Sequence, residues 1–187
     1  IAPEVIEVPE PDVAPTFYFS SIDSIGYVKK DPTIPSGAIF KVKDDKEMIS
    51  SGDMVYVSPT DGRSFTPGDR YTVYRTFEKL KDPSGKKGIG TQYYLTGIVR
   101  ITHVEPEYAI GHISRSYRTI EIGDQLTPYH PRSSEIELTD GIASLEGRII
   151  ASEEHASLMG DNMIAFIDKG TGSGVKPGQM YHIYYQD

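Results

Sequence analysis

The chain of 187 residues carries a formal charge of −8 from 27 acidic and 19 basic side chains, is 37% hydrophobic, and contains neither Cys nor Trp. That length can enclose a core of its own, while the lack of Cys excludes a disulfide framework, a thiol nucleophile and a Cys-held metal. An acidic chain without a basic tract is a poor match for nucleic acid or an anionic membrane surface, and no apolar run approaches the ~20 residues of a membrane-spanning helix.

Residues 1–19 read as a Pro-rich acidic linker ahead of a β module over 20–187. Within IAPEVIEVPEPDVAP (1–15), Pro3, Pro9, Pro11 and Pro15 withhold amide donors or bias the chain toward extended forms, and Glu4, Glu7, Glu10 and Asp12 repel one another. An extended spacer is expected there. The chain opens on Ile1, so a processed or trimmed piece with a tethered element upstream is expected. Ser20–Ile25 predicts a single helical turn. From Gly37 onward, Val-, Ile- and Tyr-rich runs predict strands at 38–42, 54–58, 71–75, 93–104, 108–114, 141–150, 163–168 and 180–185, with Gly, Pro and Asp between them.

An internal repeat organises these runs. Pro67-Gly68-Asp69, Ile122-Gly123-Asp124 and Pro177-Gly178-Gln179 recur at equal spacing, each ahead of a strand that ends on Tyr. Pro-Gly suits a type II turn, so Gly68, Gly123 and Gly178 are candidate structural turn residues, with φ > 0 expected above all at Gly68 and Gly178. Ile39 and Phe40 match Ile149 and Ile150, and Tyr56 and Val57 match Phe166 and Ile167. The predicted fold is therefore all-β, a small barrel or sandwich built from an internal repeat (37–75 and 147–185), with a middle part at 76–130 as a central β insertion.

Chemistry is hard to find. His103, His112, His130, His155 and His182 stand at no metal-binding spacing. Glu153-Glu154-His155 combines ligand types, but neighbours on a strand face opposite ways, and a solvated loop is expected. Gly88-Ile89-Gly90 and the glycines at 170–174 are followed by strand-like sequence rather than a helix, so they read as flexible turns, not phosphate loops. No Gly-x-Ser-x-Gly elbow, catalytic pair or cofactor motif is present. Arg115 and Arg118 fit a salt-bridged sheet edge. Lys79, Lys81, Lys86 and Lys87 form the densest basic group, at a predicted hairpin tip, and are the candidate contact for an acidic partner. Tyr93-Tyr94 and Tyr184-Tyr185 are candidate sugar platforms, against the plainer reading of one ring in and one out.

The runs at 52–75, 97–129 and 147–185 together resemble bacterial envelope proteins with an N-terminal LysM domain and a C-terminal β region related to the C-terminal domain of the flagellar protein FlgT. TsaP-type secretin-associated proteins of type IV pili belong to this group. The resemblance covers roughly residues 20–187. It implies a periplasmic location, peptidoglycan attachment through a LysM domain absent from this chain, and docking to a secretin ring. The expected function is a non-enzymatic scaffold or adaptor that takes no cofactor, with direct glycan binding as the alternative.

Overall fold

Alternating Val, Ile and Tyr side chains suit a pleated surface with one buried face. In the computed structural model of the chain, which describes residues 14–81, 85 and 88–185, they form strands joined by turns and short 3-10 segments, with no α-helix among the described residues. In chain order the strands are β1 (Thr16–Tyr18), β2 (Tyr27–Lys29), β3 (Gly37–Val42), β4 (Met54–Pro59), β5 (Arg70–Lys81), β6 (Gly88–Val104) and β7 (Ala109–Ser116). They continue with β8 (Gln125–Pro128), β9 (Glu135–Glu137), β10 (Thr139–Asp140), β11 (Ile149–Ser152), β12 (Ala165–Ile167) and β13 (Gln179–Met180).

Six strands close into an antiparallel barrel in the order β6-β5-β8-β3-β4-β7, with β7 returning to β6. Closure leaves these six without a free edge. β2 pairs with the part of β6 that runs past the ring. Ile39, Val57, Val73, Val99, Ile113 and Leu126 are among the side chains that fill the interior. A second, smaller core gathers Tyr74, Tyr93 and Leu95, with Tyr27 stacked on Tyr93 at 4.9 Å between ring centroids. The Tyr93 hydroxyl accepts from the Thr33 N–H.

Four expectations are corrected. Residues 76–130 are no insertion, because β6, β7 and β8 are staves of the same barrel as β3 and β4. The spacer reading does not hold to residue 19: Thr16–Tyr18 pair with Glu135–Glu137, while residues 1–13 lie outside the described residues. Gly88–Gly90 are strand, and a side chain on Gly90 would meet the Lys29 carbonyl. Of the runs at 141–150 and 180–185, only Ile149, Ile150 and Met180 lie in strands.

Beyond the barrel lie three two-stranded sheets: β1-β9 and β11-β12, both antiparallel, and β10-β13, parallel. The β11-β12 hairpin and the β3-β4 pair of the barrel have similar registers. Ile39, Lys41 and Val42 stand opposite Val57, Tyr56 and Val55, with a bulge at Phe40. Ile149, Ala151 and Ser152 stand opposite Ile167, Phe166 and Ala165, with a bulge at Ile150. The turns correspond too. The N–H groups of Asp53 and Arg63 donate to the carbonyls of Ser50 and Thr60, and those of Met163 and Ser173 to the carbonyls of Gly160 and Gly170. The correspondence ends at the third strand. β5 lies antiparallel between β6 and β8, whereas β13 pairs in parallel with β10.

Candidate functional site

The bulge at Phe40 turns an apolar ring outward. Register steps from Ile39↔Val57 to Lys41↔Tyr56, so two residues of β3 face one of β4, and Phe40 is left on the outer surface. Tyr56 and Tyr108 join it there. The three ring centroids stand 5.9 to 6.3 Å apart, in tilted and edge-to-face arrangements. With Lys41, Ser58 and Glu107 they line a shallow groove of about 480 Å³. One exposed ring and two half-buried ones beside one cation and one anion make a surface suited to stacking and to oriented polar contact.

A second cluster links the barrel to the β11-β12 hairpin. Glu153 is 3% exposed. Its carboxylate accepts from the Gly26 N–H and lies 3.2 Å from an Arg118 nitrogen. Arg118 also donates to Glu154 and to the carbonyls of Ser24 and Leu95, and its guanidinium covers the Tyr94 ring at 4.2 Å. The Tyr94 hydroxyl donates to Glu154. Burial, reinforced by that bond, pushes the Tyr94 pKa up to about 12. Burial alone would raise the Glu154 carboxyl, but the bonds from Tyr94 and Arg118 and the Arg118 charge outweigh it and hold the group below its usual value. Every charge in this cluster already faces a partner inside the chain, so the arrangement cements two parts of the fold rather than offering a reactive group.

A third cluster ties β5 and β6 to the turn before β8. Asp124, also 3% exposed, accepts from Arg75 Nε and Nη2, from the Thr96 hydroxyl and from the Glu121 N–H, all at 3.0 to 3.1 Å. Burial opposes the Arg75 charge, but the bonds to Asp124 and Glu121 outweigh it and hold the guanidinium pKa above its ordinary value.

Gly68, Gly123 and Gly178 occupy the same position in three turns, with φ of +97°, +97° and +85°. In each turn the following N–H donates back to the carbonyl of Thr66, Glu121 or Lys176. Nothing lies within 4 Å of a Cβ built on Gly68 or Gly123, whereas one on Gly178 would stand 2.0 Å from the Glu137 carbonyl oxygen. Lys79 and Lys81 are exposed near the far end of β5, and Lys86 and Lys87 lie outside the described residues. The structure does not bring the five histidines together, and among the described residues no group of three or more His, Asp or Glu could hold a metal ion. The solvated-loop reading of Glu153-Glu154-His155 holds for Glu154 and His155, which are exposed in a turn, and is corrected at Glu153, which is buried under Gly26. Tyr93 is buried while Tyr94 reaches Glu154, and Tyr184 and Tyr185 are both exposed.

The aromatic groove and the Asp124 cluster were not singled out in the sequence; Arg118 reads there as salt-bridged, as it is, but its partners Glu153 and Glu154 do not. Phe40 gives no local signal: alternation along AIFKV would place it on the face of Val42, and only the bulge separates the two. No protein-family model matches the chain, and neither does any curated protein or solved structure with which it was compared.

Proposed function

We propose that this chain is a non-catalytic scaffold module of a periplasmic, LysM-type envelope protein of a Gram-negative bacterium, one that docks onto an outer-membrane machine such as a pilus secretin. The observation that carries the reading is the outward-facing groove of Phe40, Tyr56 and Tyr108, which leaves apolar surface in water on an otherwise closed barrel. The resemblance to LysM-type envelope proteins supplies the setting, with peptidoglycan held by an upstream LysM domain. Residues 37–75 and 147–185 are, in this proposal, two copies of one β unit. The matching register, bulge and turn bonds of the β3-β4 and β11-β12 hairpins support this.

Direct glycan binding is the second reading, and the same three rings favour it because a sugar's apolar face stacks on aromatic faces. Cosedimentation with purified sacculi and titration against a purified secretin ring separate the two. Secretin binding that weakens in Phe40→Ala supports docking. Sacculus binding that weakens in the same variant replaces it with glycan recognition. Release of soluble muropeptides from the sacculi, abolished by one carboxylate substitution, would overturn the non-catalytic reading.

A further inference from the structure

The tripeptide Thr-Asp-Gly occurs twice, at Thr60–Gly62 and at Thr139–Gly141. Both aspartates are exposed, so local sequence and access to water are matched. The backbones are not. Thr60 to Arg63 form a reverse turn, in which the Arg63 N–H donates to the Thr60 carbonyl and Gly62 has φ of +75°, as in a type II turn. Among the described residues the Gly62 N–H donates to no carbonyl, and nothing lies within 4 Å of a Cβ built on Gly62. Thr139–Gly141, in contrast, is held along its length. Thr139 and Asp140 lie in β10 opposite Gln179 and Met180 of β13. The Thr139 N–H donates to the Gly178 carbonyl and the Ile142 N–H to the Tyr181 hydroxyl. A Cβ on Gly141 would stand 2.4 Å from the Met180 carbonyl oxygen, so the backbone there is packed against its neighbour.

We propose that Asp61-Gly62 is a site of spontaneous isoaspartate formation, and that the β10-β13 pairing suppresses the same reaction at Asp140-Gly141. The Gly62 amide nitrogen gives up its proton and attacks the carboxyl carbon of the Asp61 side chain. The new C–N bond closes a five-membered succinimide, and the carboxyl oxygen leaves as water. Water then adds to the former main-chain carbonyl of Asp61, and the bond from that carbon to nitrogen breaks. Gly62 is left attached through the Asp61 side chain, with a free α-carboxylate and one more carbon in the main chain. One water is lost and one regained, so the step needs no co-reactant and leaves the mass unchanged. Attack requires the nitrogen to swing onto the side chain, which a glycine without Cβ in an open surface turn allows. A paired strand resists that rotation until it opens. The added carbon falls between β4 and β5, outside the staves of the barrel.

The test incubates the full chain at neutral pH, once folded and once in guanidinium chloride. Isoaspartate is read site by site in two ways: resistance to an endoprotease that cuts before aspartate, and methyl transfer by a protein isoaspartyl methyltransferase. Mass spectrometry identifies the fragments. In the folded chain Asp61 is expected to convert at least about tenfold faster than Asp140, the factor that a local opening cost of about 1.4 kcal/mol imposes. In denaturant the two matched tripeptides should react at similar rates. Asp61→Glu should abolish the product at 61 and leave the thermal melt unchanged. An absence of product at Asp61 in the folded chain overturns the inference, as does an equal rate at Asp140. A difference that persists in denaturant overturns it too, because the flanking residues and not the fold would then be its cause.

Discussion

Replacing Asp124 with Ala removes one acceptor group from four donors at once. Arg75 Nε and Nη2, the Thr96 hydroxyl and the Glu121 N–H all point at a carboxylate that is 3% exposed. Arg75 keeps Glu121 and the Thr119 carbonyl, so its charge is not stranded, but the fully buried Thr96 hydroxyl has no other acceptor among the described residues. Stranding a buried donor costs about 1–3 kcal/mol. The four bonds share one group, so their separate values do not add. For a chain of this size each kcal/mol lowers Tm by about 2–4 °C, which places the expected fall at about 2–12 °C. Thermal melts followed by tyrosine near-ultraviolet circular dichroism would measure it, since the chain has 13 Tyr and no Trp. Asp69 is the internal control. It follows Gly68 as Asp124 follows Gly123, yet it is exposed, and Asp69→Ala should stay within about 0.5 kcal/mol of the parent. Adding Arg75→Ala to Asp124→Ala should cost less than the sum of the two. If the Asp69 and Asp124 variants melt alike, the clamp contributes nothing and the reasoning fails.

Arg118→Met leaves the buried Glu153 carboxylate with the Gly26 N–H as its remaining donor and should cost about 3–5 kcal/mol; hydrogen exchange should speed up in β11 and β12 before the barrel staves. Gly68→Ala should cost about 1 kcal/mol from its positive φ alone, and Gly178→Ala clearly more, because its Cβ would also strike the Glu137 carbonyl; equal melting shifts would contradict this. The Glu154 carboxyl is held below its ordinary value of 4.5, so the stability it contributes is present above that pH and is lost as pH falls through the lowered folded-state value. The difference between parent and Glu154→Gln, measured by guanidinium titration at neutral pH, should therefore shrink in acid, and a difference that stays constant would remove Glu154 from the network.

The barrel staves were legible because their alternation is strong. The runs at 38–42, 54–58, 71–75, 93–104 and 108–114 fall in β3 to β7 but for Tyr108, although β5 runs on to Lys81 and β6 starts back at Gly88. The C-terminal runs look just as strand-like, yet most of GIASLEGRII and MYHIYY pairs with nothing. Propensity records how well a segment would fit a sheet, and a neighbour must then be present. The short strands β1, β2, β9 and β10 show the converse. Phe17 stands opposite Ile136 between polar flanks, and tertiary pairing alone makes Thr16–Tyr18 a strand.

The ion clusters were illegible for a different reason. Asp69 and Asp124 occupy the same place in the same turn, and nothing local distinguishes the exposed one from the buried one. The difference is the guanidinium of Arg75, brought from the neighbouring strand β5, which pairs with β8 just past the turn. Glu153 likewise reads as one of several adjacent charges until Arg118 and Gly26 arrive from two other parts of the chain. Phe40 was illegible as well. Alternation along AIFKV sets it on the face of Ala38 and Val42, and only the register step between Ile39 and Lys41 turns its ring outward while Ile39 and Val42 stay buried. The β11-β12 hairpin steps at Ile150, yet Ile150 is half-buried. A bulge therefore frees a side chain from strict alternation, and the surroundings decide whether it ends in solvent, as Phe40 does at the edge of the groove.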